Sequence, residues 1–242
     1  MRFAIFSDIH SNFHALEAVL ADAEAQKSTH YICLGDIVGY NAFPSECLAK
    51  VRDMDCPVVK GNHDEEASAL GASVGFNELA GEAIRYSREH LSAEDKQWLR
   101  DLKYQRPVRD FTIVHATLDT PQKWGYIFNQ LDAAASFTYQ NTPLCFIGHT
   151  HSPKAYIRDT SRSVQVKVLE TLKIENGKKY LINVGSVGQP RDGNWRAAYC
   201  IYDKTENTVE LRRVEYDLEA TQAAIRDAGL PERLAERLAH GK

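Results

Sequence analysis

The sequence predicts an α/β fold that begins with parallel β-α-β units and ends with a second, antiparallel sheet. Short apolar runs alternate with amphipathic helical segments over residues 1–60, a pattern typical of parallel strands covered by helices. Beyond Ser152 the segments become shorter and alternate in hydropathy, and Asn176-Gly177 lies between two of them as a hairpin signal. The chain has 242 residues, 43% of them apolar, without a repeat or a Gly/Ser linker. We therefore expect a single domain covering residues 1-242.

The first elements are predicted from hydrophobic periodicity. Phe3–Phe6 is a short apolar strand. The helix after it has one apolar stripe, and Ser11 or Asn12 can cap it. The stripe consists of Leu16, Val19, Leu20 and Ala23. The predicted elements that follow are strand His30–Leu34, a helix that begins at Pro44, and strand Pro57–Val59.

The middle and the end of the chain change in pattern. From Glu65 to about Arg109 the sequence is mostly helical, with a capping signal at Ser92, and we expect a helical insertion at about 65-109 that covers one side of the sheet. The remaining predicted elements are strands Phe111–Val114 and Leu144–Ile147, a short helix near Asp132–Tyr139, a hairpin of Lys173–Glu175 with Lys178–Ile182, an antiparallel pair of Arg196–Tyr202 with Thr208–Val214, and two short helices between Asp217 and Ala239.

Charge, hydropathy and cysteine usage narrow the class of protein. The 33 acidic residues outnumber the 29 Lys and Arg residues, for a formal net charge of -4, so there is no basic field to attract an extended nucleic acid. The longest apolar runs are too short to cross a bilayer, and the residues after Met1-Arg2 lack the pattern of a signal peptide. Five cysteines without a C-x-x-C pair suit the reducing cytoplasm. We expect a soluble cytoplasmic protein.

Polar side chains with metal-binding chemistry follow the predicted strands, at the point where each strand ends. They are Asp8 and His10, Asp36, Asn62 with His63 and Asp64, His115, and His149 with His151. The carboxyl ends of parallel strands meet at one edge of a sheet, so these side chains are expected to converge. Carboxylate, imidazole and amide ligands without a thiolate suit Mn, Fe, Zn or Co. Without His63 and Asp64, seven of these residues are candidate ligands. Seven are too many for one ion and indicate two divalent metal ions, with a carboxylate shared between them.

Five motifs in the same order resemble those of the calcineurin-like metallophosphoesterases. They are Asp8-Ile9-His10, Gly35-Asp36-Ile37-Val38-Gly39-Tyr40, Gly61-Asn62-His63-Asp64, Val114-His115-Ala116 and Gly148-His149-Thr150-His151. The segment from Asn183 to Arg191 is similar to the closing glycine-rich motif of the small bacterial and archaeal members. The resemblance implies a four-layer α-β-β-α sandwich, in which two mixed β-sheets are flanked by helices.

The resemblance also implies a role for each motif residue. Asp8, His10 and His151 would hold one ion, Asn62, His115 and His149 the other, and Asp36 would bridge them, with manganese as the first guess for the active metal. A bridging hydroxide would attack phosphorus. His63, oriented by Asp64, would protonate the leaving oxygen or stabilise charge on the phosphoryl oxygens, and the sequence leaves both roles open.

Departures from the family pattern bear on the substrate. Asp36 is followed by Ile37-Val38-Gly39-Tyr40 and not by the Asp-Arg-Gly that marks protein phosphatases and symmetric dinucleoside tetraphosphatases, so the arginine that those enzymes place at the phosphate is missing. This departure favours a small phosphoester, for example a nucleotide, over a phosphoprotein. Ala116 after His115, in place of glycine, alters the nearby pocket wall. The candidate substrate contacts are Tyr40, Trp124, Tyr126 and Trp195 for stacking on a base, and Arg191 with Asn41 or Asn12 for a phosphate; loop packing is the alternative role for all of them.

The leading functional hypothesis is a metal-dependent phosphoesterase that hydrolyses a phosphodiester or monoester of a small molecule or nucleotide. A nuclease is the first alternative, and the acidic charge balance argues against it. A catalytically silent protein-interaction scaffold is the second, but such a protein is expected to lack ligands or His63, and none is missing. The oligomeric state stays open.

Overall fold

A computed structural model describes residues 1–71 and 77–242. Its strands are β1 Arg2–Phe6, β2 His30–Cys33, β3 Gln105–Val108, β4 Phe111–Val114, β5 Leu144–Ile147, β6 Lys154–Arg158, β7 Val164–Val168, β8 Thr171–Lys173, β9 Lys179–Asn183, β10 Ala197–Asp203 and β11 Thr208–Val214. Its α-helices are α1 Phe13–Ala25, α2 Pro44–Asp53, α3 Asn62–Ser68, α4 Glu78–His90, α5 Ala93–Asp101, α6 Gln130–Tyr139, α7 Leu218–Asp227 and α8 Glu232–Leu238.

The strands form two mixed sheets. The first has the order β2-β1-β10-β11-β8, in which only β1 and β2 are parallel. The second has the order β3-β4-β5-β9-β6-β7, in which β4, β5 and β9 are parallel and the outer pairs are antiparallel. The prediction of two mixed sheets, which came from the family resemblance, is confirmed.

Alternation along β1 shows how the layers pack. Phe3 and Ile5 are buried in a cluster with residues of both sheets, whereas Ala4 and Phe6 are buried with apolar residues of α1 and α2. Successive side chains of a strand point to opposite faces, so one face of the first sheet covers the second sheet and the other face covers helices. On the far side of the second sheet, α6 contributes Phe137 to a third cluster. The layers are therefore helix, sheet, sheet and helix.

Two strand predictions were wrong. The segments on either side of Asn176-Gly177 do not pair with each other: β8 pairs with β11 in the first sheet, and β9 lies in the second. The reason is that both edges of β9 are occupied, one by β5 and one by β6. Pro57–Val59 is not a strand but a single parallel bridge between Cys33 and Val58.

The prediction of a separate antiparallel sheet from the residues alone was also wrong. The antiparallel pair β10 and β11 forms as predicted, but β10 pairs with β1, so the C-terminal strands extend the N-terminal sheet. A hairpin of β6 and β7, which the sequence did not signal, extends the second sheet. The predicted helix caps Asn12 and Ser92 accept hydrogen bonds from Ala15 N and Asp95 N.

Candidate metal centre

The candidate ligands lie on loops that follow the carboxyl ends of strands in both sheets. β1 leads into Asp8 and His10, β2 into Asp36, β4 into His115, and β5 into His149 and His151, while Asn62 and His63 begin α3. Backbone hydrogen bonds tie the first two loops together, from Asp8 N to Gly35 O at 3.0 Å and from His10 N to Asp36 O at 2.9 Å. His149 N donates to Asp8 Oδ2 at 3.0 Å, which joins the two sheets. The site therefore lies where the edges of both sheets meet.

Each of four histidines uses one ring nitrogen for a backbone carbonyl. Nδ1 of His10, His115 and His151 lies 3.0, 2.8 and 2.5 Å from the carbonyl oxygens of residues 38, 34 and 189. His149 is reversed, with Nε2 2.9 Å from the Trp124 carbonyl. A carbonyl oxygen only accepts, so the proton of each neutral ring lies on the nitrogen beside it, and the other nitrogen has an exposed lone pair. This is how protein structures orient histidine ligands towards a metal.

The spacing of these lone pairs fits bound cations. Nε2 of His10 lies 3.2 Å from Nε2 of His151, and Nε2 of His151 lies 3.2 Å from Asp8 Oδ1. Nε2 of His115 lies 3.3 Å from Asp36 Oδ2. Two acceptor nitrogens that face each other repel unless a proton or a cation lies between them. Within the described residues Asn62 Oδ1 is buried without a hydrogen-bond partner, and Asp8 Oδ1 and His115 Nε2 make close polar contacts only with other candidate ligands. Such orphaned ligand atoms are expected of a metal site.

Three groups of buried side chains have their ligand atoms within 4.8 Å of one another. They are Asp8, His10 and His151; His10, Asp36 and His63; and Asp36, His115 and His149. Asp36 belongs to the second and third groups, and its Oδ2 lies 3.6 Å from Nε2 of His10, which belongs to the first group. This arrangement has the donor set and the shared carboxylate that two ions need.

The charges of the site shift its pKa values. Burial alone would raise the pKa of the two carboxyls, but His115 and His151 hold the pKa of Asp8 below its usual range, and His115 and His63 do the same for Asp36. Burial lowers the pKa of His149 to about 3, whereas the Asp36 carboxylate overcomes burial and raises the pKa of His115 to about 9. The centre therefore has ionised carboxylates that attract cations.

Two glycines allow the loops to approach each other closely. A Cβ at Gly61 would lie 2.1 Å from Asp36 Oδ1, and a Cβ at Gly148 would lie 2.0 Å from Ser7 Oγ and 2.5 Å from Asp8 Oδ2. Real Cβ atoms essentially never come closer than 3.0 Å to such neighbours. The close packing of Gly61 against Asp36, and of Gly148 against Asp8, thus requires glycine at both positions.

Asp64 and His63 both contact the Asp36 loop. The Asp64 carboxylate accepts hydrogen bonds from Asp36 N and Ile37 N, both at 2.8 Å, and from Gly61 N at 3.0 Å. His63 N donates to Asp36 Oδ1 at 2.8 Å. Burial lowers the pKa of His63 to about 4, with Asp36 opposing and Arg191 reinforcing this shift. Asp64 therefore fixes the loop that presents Asp36, and its predicted role in orienting His63 stays a prediction.

A cavity of about 420 Å³ opens onto the candidate metal ligands. Of the predicted substrate contacts, Tyr40, Trp124, Tyr126 and Arg191 line it. The Tyr126 ring stacks on His149 with 4.1 Å between ring centroids. The cavity therefore has aromatic lining from Trp124 and Tyr126 and a guanidinium from Arg191.

Other predicted substrate contacts lie away from this cavity. Asn12 is fully buried, caps α1, and donates from Nδ2 to Gly188 O at 3.1 Å. Asn41 donates from Nδ2 to His10 O at 2.6 Å, so it supports a ligand loop from behind. Trp195 packs against Tyr216, with 5.6 Å between ring centroids. All three have structural contacts here, because their polar or aromatic groups are used within the fold.

Sequence reasoning did not assign roles to several residues that hold the ligand loops. Asn183, at the end of β9, donates from Nδ2 to Gly148 O at 2.6 Å and to Thr150 Oγ1 at 2.9 Å. Ser186 donates from Oγ to Asp8 O at 2.8 Å. The glycine-rich segment 183–191 was the available signal, since its resemblance to a family motif placed it near the site.

Comparisons with known proteins agree with this fold. The family model described as the calcineurin-like phosphoesterase superfamily domain matches residues 1–207. The uncharacterized protein MJ0912 of Methanocaldococcus jannaschii is 37% identical over 244 residues, which cover 99% of this chain and 98% of that protein. The crystal structure of a metallophosphoesterase from Sphaerobacter thermophilus is 42% identical, with a TM-score of 0.89 and full coverage of both chains. A hypothetical protein of Pyrococcus horikoshii OT3, PH1004, shares the fold at 19% identity, with a TM-score of 0.81 and coverage of 100% of this chain and 98% of that one.

The chain belongs to the calcineurin-like phosphoesterase superfamily. The resemblance found in the sequence motifs is thereby confirmed, and a metal-dependent phosphoesterase is the class of protein that the family and its structural relatives support. Among the described residues, no helix is both long and apolar enough to span a bilayer.

Proposed function

We propose that this protein hydrolyses a small phosphodiester or monoester at a centre of two divalent metal ions. The observation that carries the proposal is the convergence of buried carboxylate and imidazole ligand atoms into three groups, two of which contain Asp36. Manganese is our first choice of metal, with iron, zinc and cobalt as alternatives of the same ligand chemistry. The cysteine usage leads us to propose the cytoplasm as its location.

The residues divide between the two ions as the motifs suggest. Asp8, His10 and His151 would hold one ion, Asn62, His115 and His149 would hold the other, and Asp36 would contact both. Bound divalent ions supply Lewis acidity, which lowers the pKa of water and polarises a phosphoryl oxygen. Backbone carbonyls that contact the histidine rings fix the direction of the ring lone pairs. The Asp64 carboxylate fixes the Asp36 loop by accepting hydrogen bonds from the backbone amides of Asp36 and Ile37.

His63 is the proposed acid or charge stabiliser at the leaving oxygen. It lines the cavity, and its ring lies 4.6 Å from the rings of both His10 and Tyr40, measured between centroids. Its low pKa makes the ring neutral at pH 7 in the free protein. A phosphate that carries negative charge favours the protonated ring, so substrate binding promotes the state that can donate a proton.

The cavity favours a small ester, including a nucleotide. Its volume of about 420 Å³ is in the range of small-molecule sites, and Trp124 and Tyr126 provide an aromatic wall. The alternatives are a nuclease and a silent scaffold. The net charge of -4 gives no support to a long nucleic-acid track, and retention of the whole ligand set is unexpected in a scaffold.

The test is hydrolysis with manganese by the wild-type protein and by Asp36→Asn. Bis-p-nitrophenyl phosphate and a nucleotide diester are the substrates, and metal per chain is measured by mass spectrometry. We expect Asp36→Asn to lose about 10³-fold or more in kcat/KM, since removal of a shared ligand weakens several kcal/mol of charge stabilisation.

Asp53→Asn is the matched control, because Asp53 is exposed at the end of α2. It should hydrolyse both esters as the wild type does. Full activity and full metal content in Asp36→Asn would contradict the bridging role. Absence of turnover on all mono- and diesters, with metal bound, would favour the scaffold.

A further inference from the structure

A second cavity adjoins the one at the metal centre. Its volume is about 950 Å³, it is formed mainly by α4, α7 and α8, and Asn77 lines both cavities. The charged and titratable residues that line it are Glu78, Arg226, Arg233, Glu236, Arg237, His240 and Lys242. Basic residues outnumber acidic ones there, although the whole chain is acidic. This local excess of positive charge needs an explanation.

Two guanidinium groups, one from each cavity, lie over the same tyrosine ring. Arg191 lines the first cavity and Arg237 the second. Both lie over the ring of Tyr40, at 5.6 Å and 5.8 Å from its centroid. An aromatic face attracts each cation, so Tyr40 holds two like charges near each other beside the metal centre.

Among residues 1–71 and 77–242, no Asp or Glu side chain pairs with either guanidinium. Arg191 donates to the side-chain oxygen of Gln189 at 2.8 Å, and Arg237 donates from Nε to the main-chain oxygen of Lys242 at 2.5 Å. The ion pairs of the described chain also leave out Arg233. Residues 72–76 contain no Asp or Glu, so they cannot supply a carboxylate.

Arg226, which lines the same cavity as Arg237, differs from it in having a carboxylate side chain as a partner. Its guanidinium lies 2.7 Å from a carboxylate oxygen of Glu232, so its charge is already balanced. The pKa of Arg237 is lowered by burial and by the neighbouring charge of Arg191. An anion between Arg191 and Arg237 would relieve this repulsion and would use the guanidinium geometry that suits phosphate oxygens.

We propose that Arg191, Arg233 and Arg237 form a binding site for a second phosphate group of the substrate, beyond the ester that is hydrolysed. The substrate class is therefore a phosphoester with at least two phosphates. The inference rests on the proposed function, since it places the scissile ester at the metal centre. Tyr40 and Arg191 line the cavity at that centre, Arg237 lines the adjoining cavity, and the second phosphate binds between Arg191 and Arg237.

The test uses alkanediol phosphates of two to six carbons, each as a monophosphate and as an α,ω-bisphosphate. The chain-length series covers the span between the two sites. Turnover is followed by release of inorganic phosphate with manganese, and binding is followed by calorimetry. We expect the bisphosphate of one length to exceed its monophosphate by about 10- to 100-fold in kcat/KM and in affinity, the range of a charge-assisted phosphate contact.

The measured quantity is the ratio of bisphosphate to monophosphate in kcat/KM and in affinity. We expect this ratio to move towards one in Arg237→Gln and in Arg233→Gln. Arg233 is exposed, so its replacement keeps the test valid if Arg237→Gln folds poorly. Arg226→Gln is the matched control, because Glu232 already balances that charge, and its ratio should equal that of the wild type.

The outcomes separate the two proposals. A ratio near one at every chain length, or an equal fall in Arg226→Gln and Arg237→Gln, would overturn the second phosphate site and leave the phosphoesterase intact. Absence of hydrolysis of these monoesters and of bis-p-nitrophenyl phosphate would overturn the proposed function, and the calorimetric ratio would still decide whether the second site exists.

Discussion

Gly61→Ala tests whether close packing of the loops positions the metal ligands. Gly61 has φ −98° and ψ 171°, which alanine adopts without backbone strain. The effect is therefore steric. The added Cβ would lie 2.1 Å from Asp36 Oδ1, 2.3 Å from Asp36 N and 2.7 Å from Asp36 Cγ, whereas ordinary contact begins at 3.4 Å. Asp36 or the start of α3 must move by roughly 1 Å to admit the methyl group.

The magnitude follows from this displacement. Overpacking by one methyl group typically costs about 1–3 kcal/mol of stability, and a displacement of about 1 Å at a reacting centre can cost about 10²-fold in rate. We expect Gly61→Ala to lose about 100-fold in kcat/KM on bis-p-nitrophenyl phosphate, to bind less manganese per chain, and to unfold at lower denaturant concentration.

Gly81→Ala is the control for a glycine replaced elsewhere. Gly81 lies inside α4, and among the described residues a Cβ added there would have no neighbouring atom within 4 Å outside its own helix backbone. Alanine there should preserve activity and raise stability by about 0.5–1 kcal/mol, because glycine is a poor helix former. If Gly61→Ala retained wild-type turnover and metal content, loop packing would not be what positions Asp36.

Two further predictions concern stability. Asp22 accepts hydrogen bonds from Tyr199 and Arg212. Burial alone would raise the pKa of Asp22, but these hydrogen bonds outweigh burial and lower it. A lowered pKa stabilises the fold at pH values above the unfolded-state pKa of about 4. Asp22→Asn should therefore lower the free energy of unfolding in urea by about 1 kcal/mol at pH 7. If the difference in unfolding free energy between wild type and variant did not shrink below about pH 4, the charge argument would be contradicted. Removal of metal with a chelator should lower the melting temperature by about 5–10 °C, which corresponds to ions held at about 100 times their Kd; an unchanged melting temperature in a protein shown to have lost its metal would count against ions buried among the ligands.

The strands β1, β2, β4 and β5 were predictable because each is a local apolar run followed closely by Asp or His. The segment before Asn62 is the exception, because it forms only a single bridge. Strand pairing was not predictable, because it depends on contacts that no local pattern encodes. Ala4 of β1 pairs with Ile201 of β10, almost the full length of the chain away. Asn176-Gly177 does form a turn, but competition for the edges of β9 decides that its flanking strands separate.

The same distinction applies to the site. Motif residues such as Asp36 and His115 could be named because their spacing from strand ends is a sequence property. Arg233 and Arg237 could not, since they lie on a C-terminal amphipathic helix with no motif. Only the folded chain brings Arg237 to Tyr40, whose ring it shares with Arg191.

Backbone strain at the ligands gives independent support for a functional centre. Positive φ angles occur at Asp8 (54°), His10 (48°), Asp36 (51°), His149 (69°) and His151 (55°). Such conformations cost non-glycine residues of order 1–3 kcal/mol each and persist only where surrounding contacts impose them. The carbonyls that hold the histidine rings and the amides that hold Asp64 supply those contacts. Because this strain is concentrated on residues whose lone pairs face one another, cations at the centre would remove the repulsion that the backbone geometry creates.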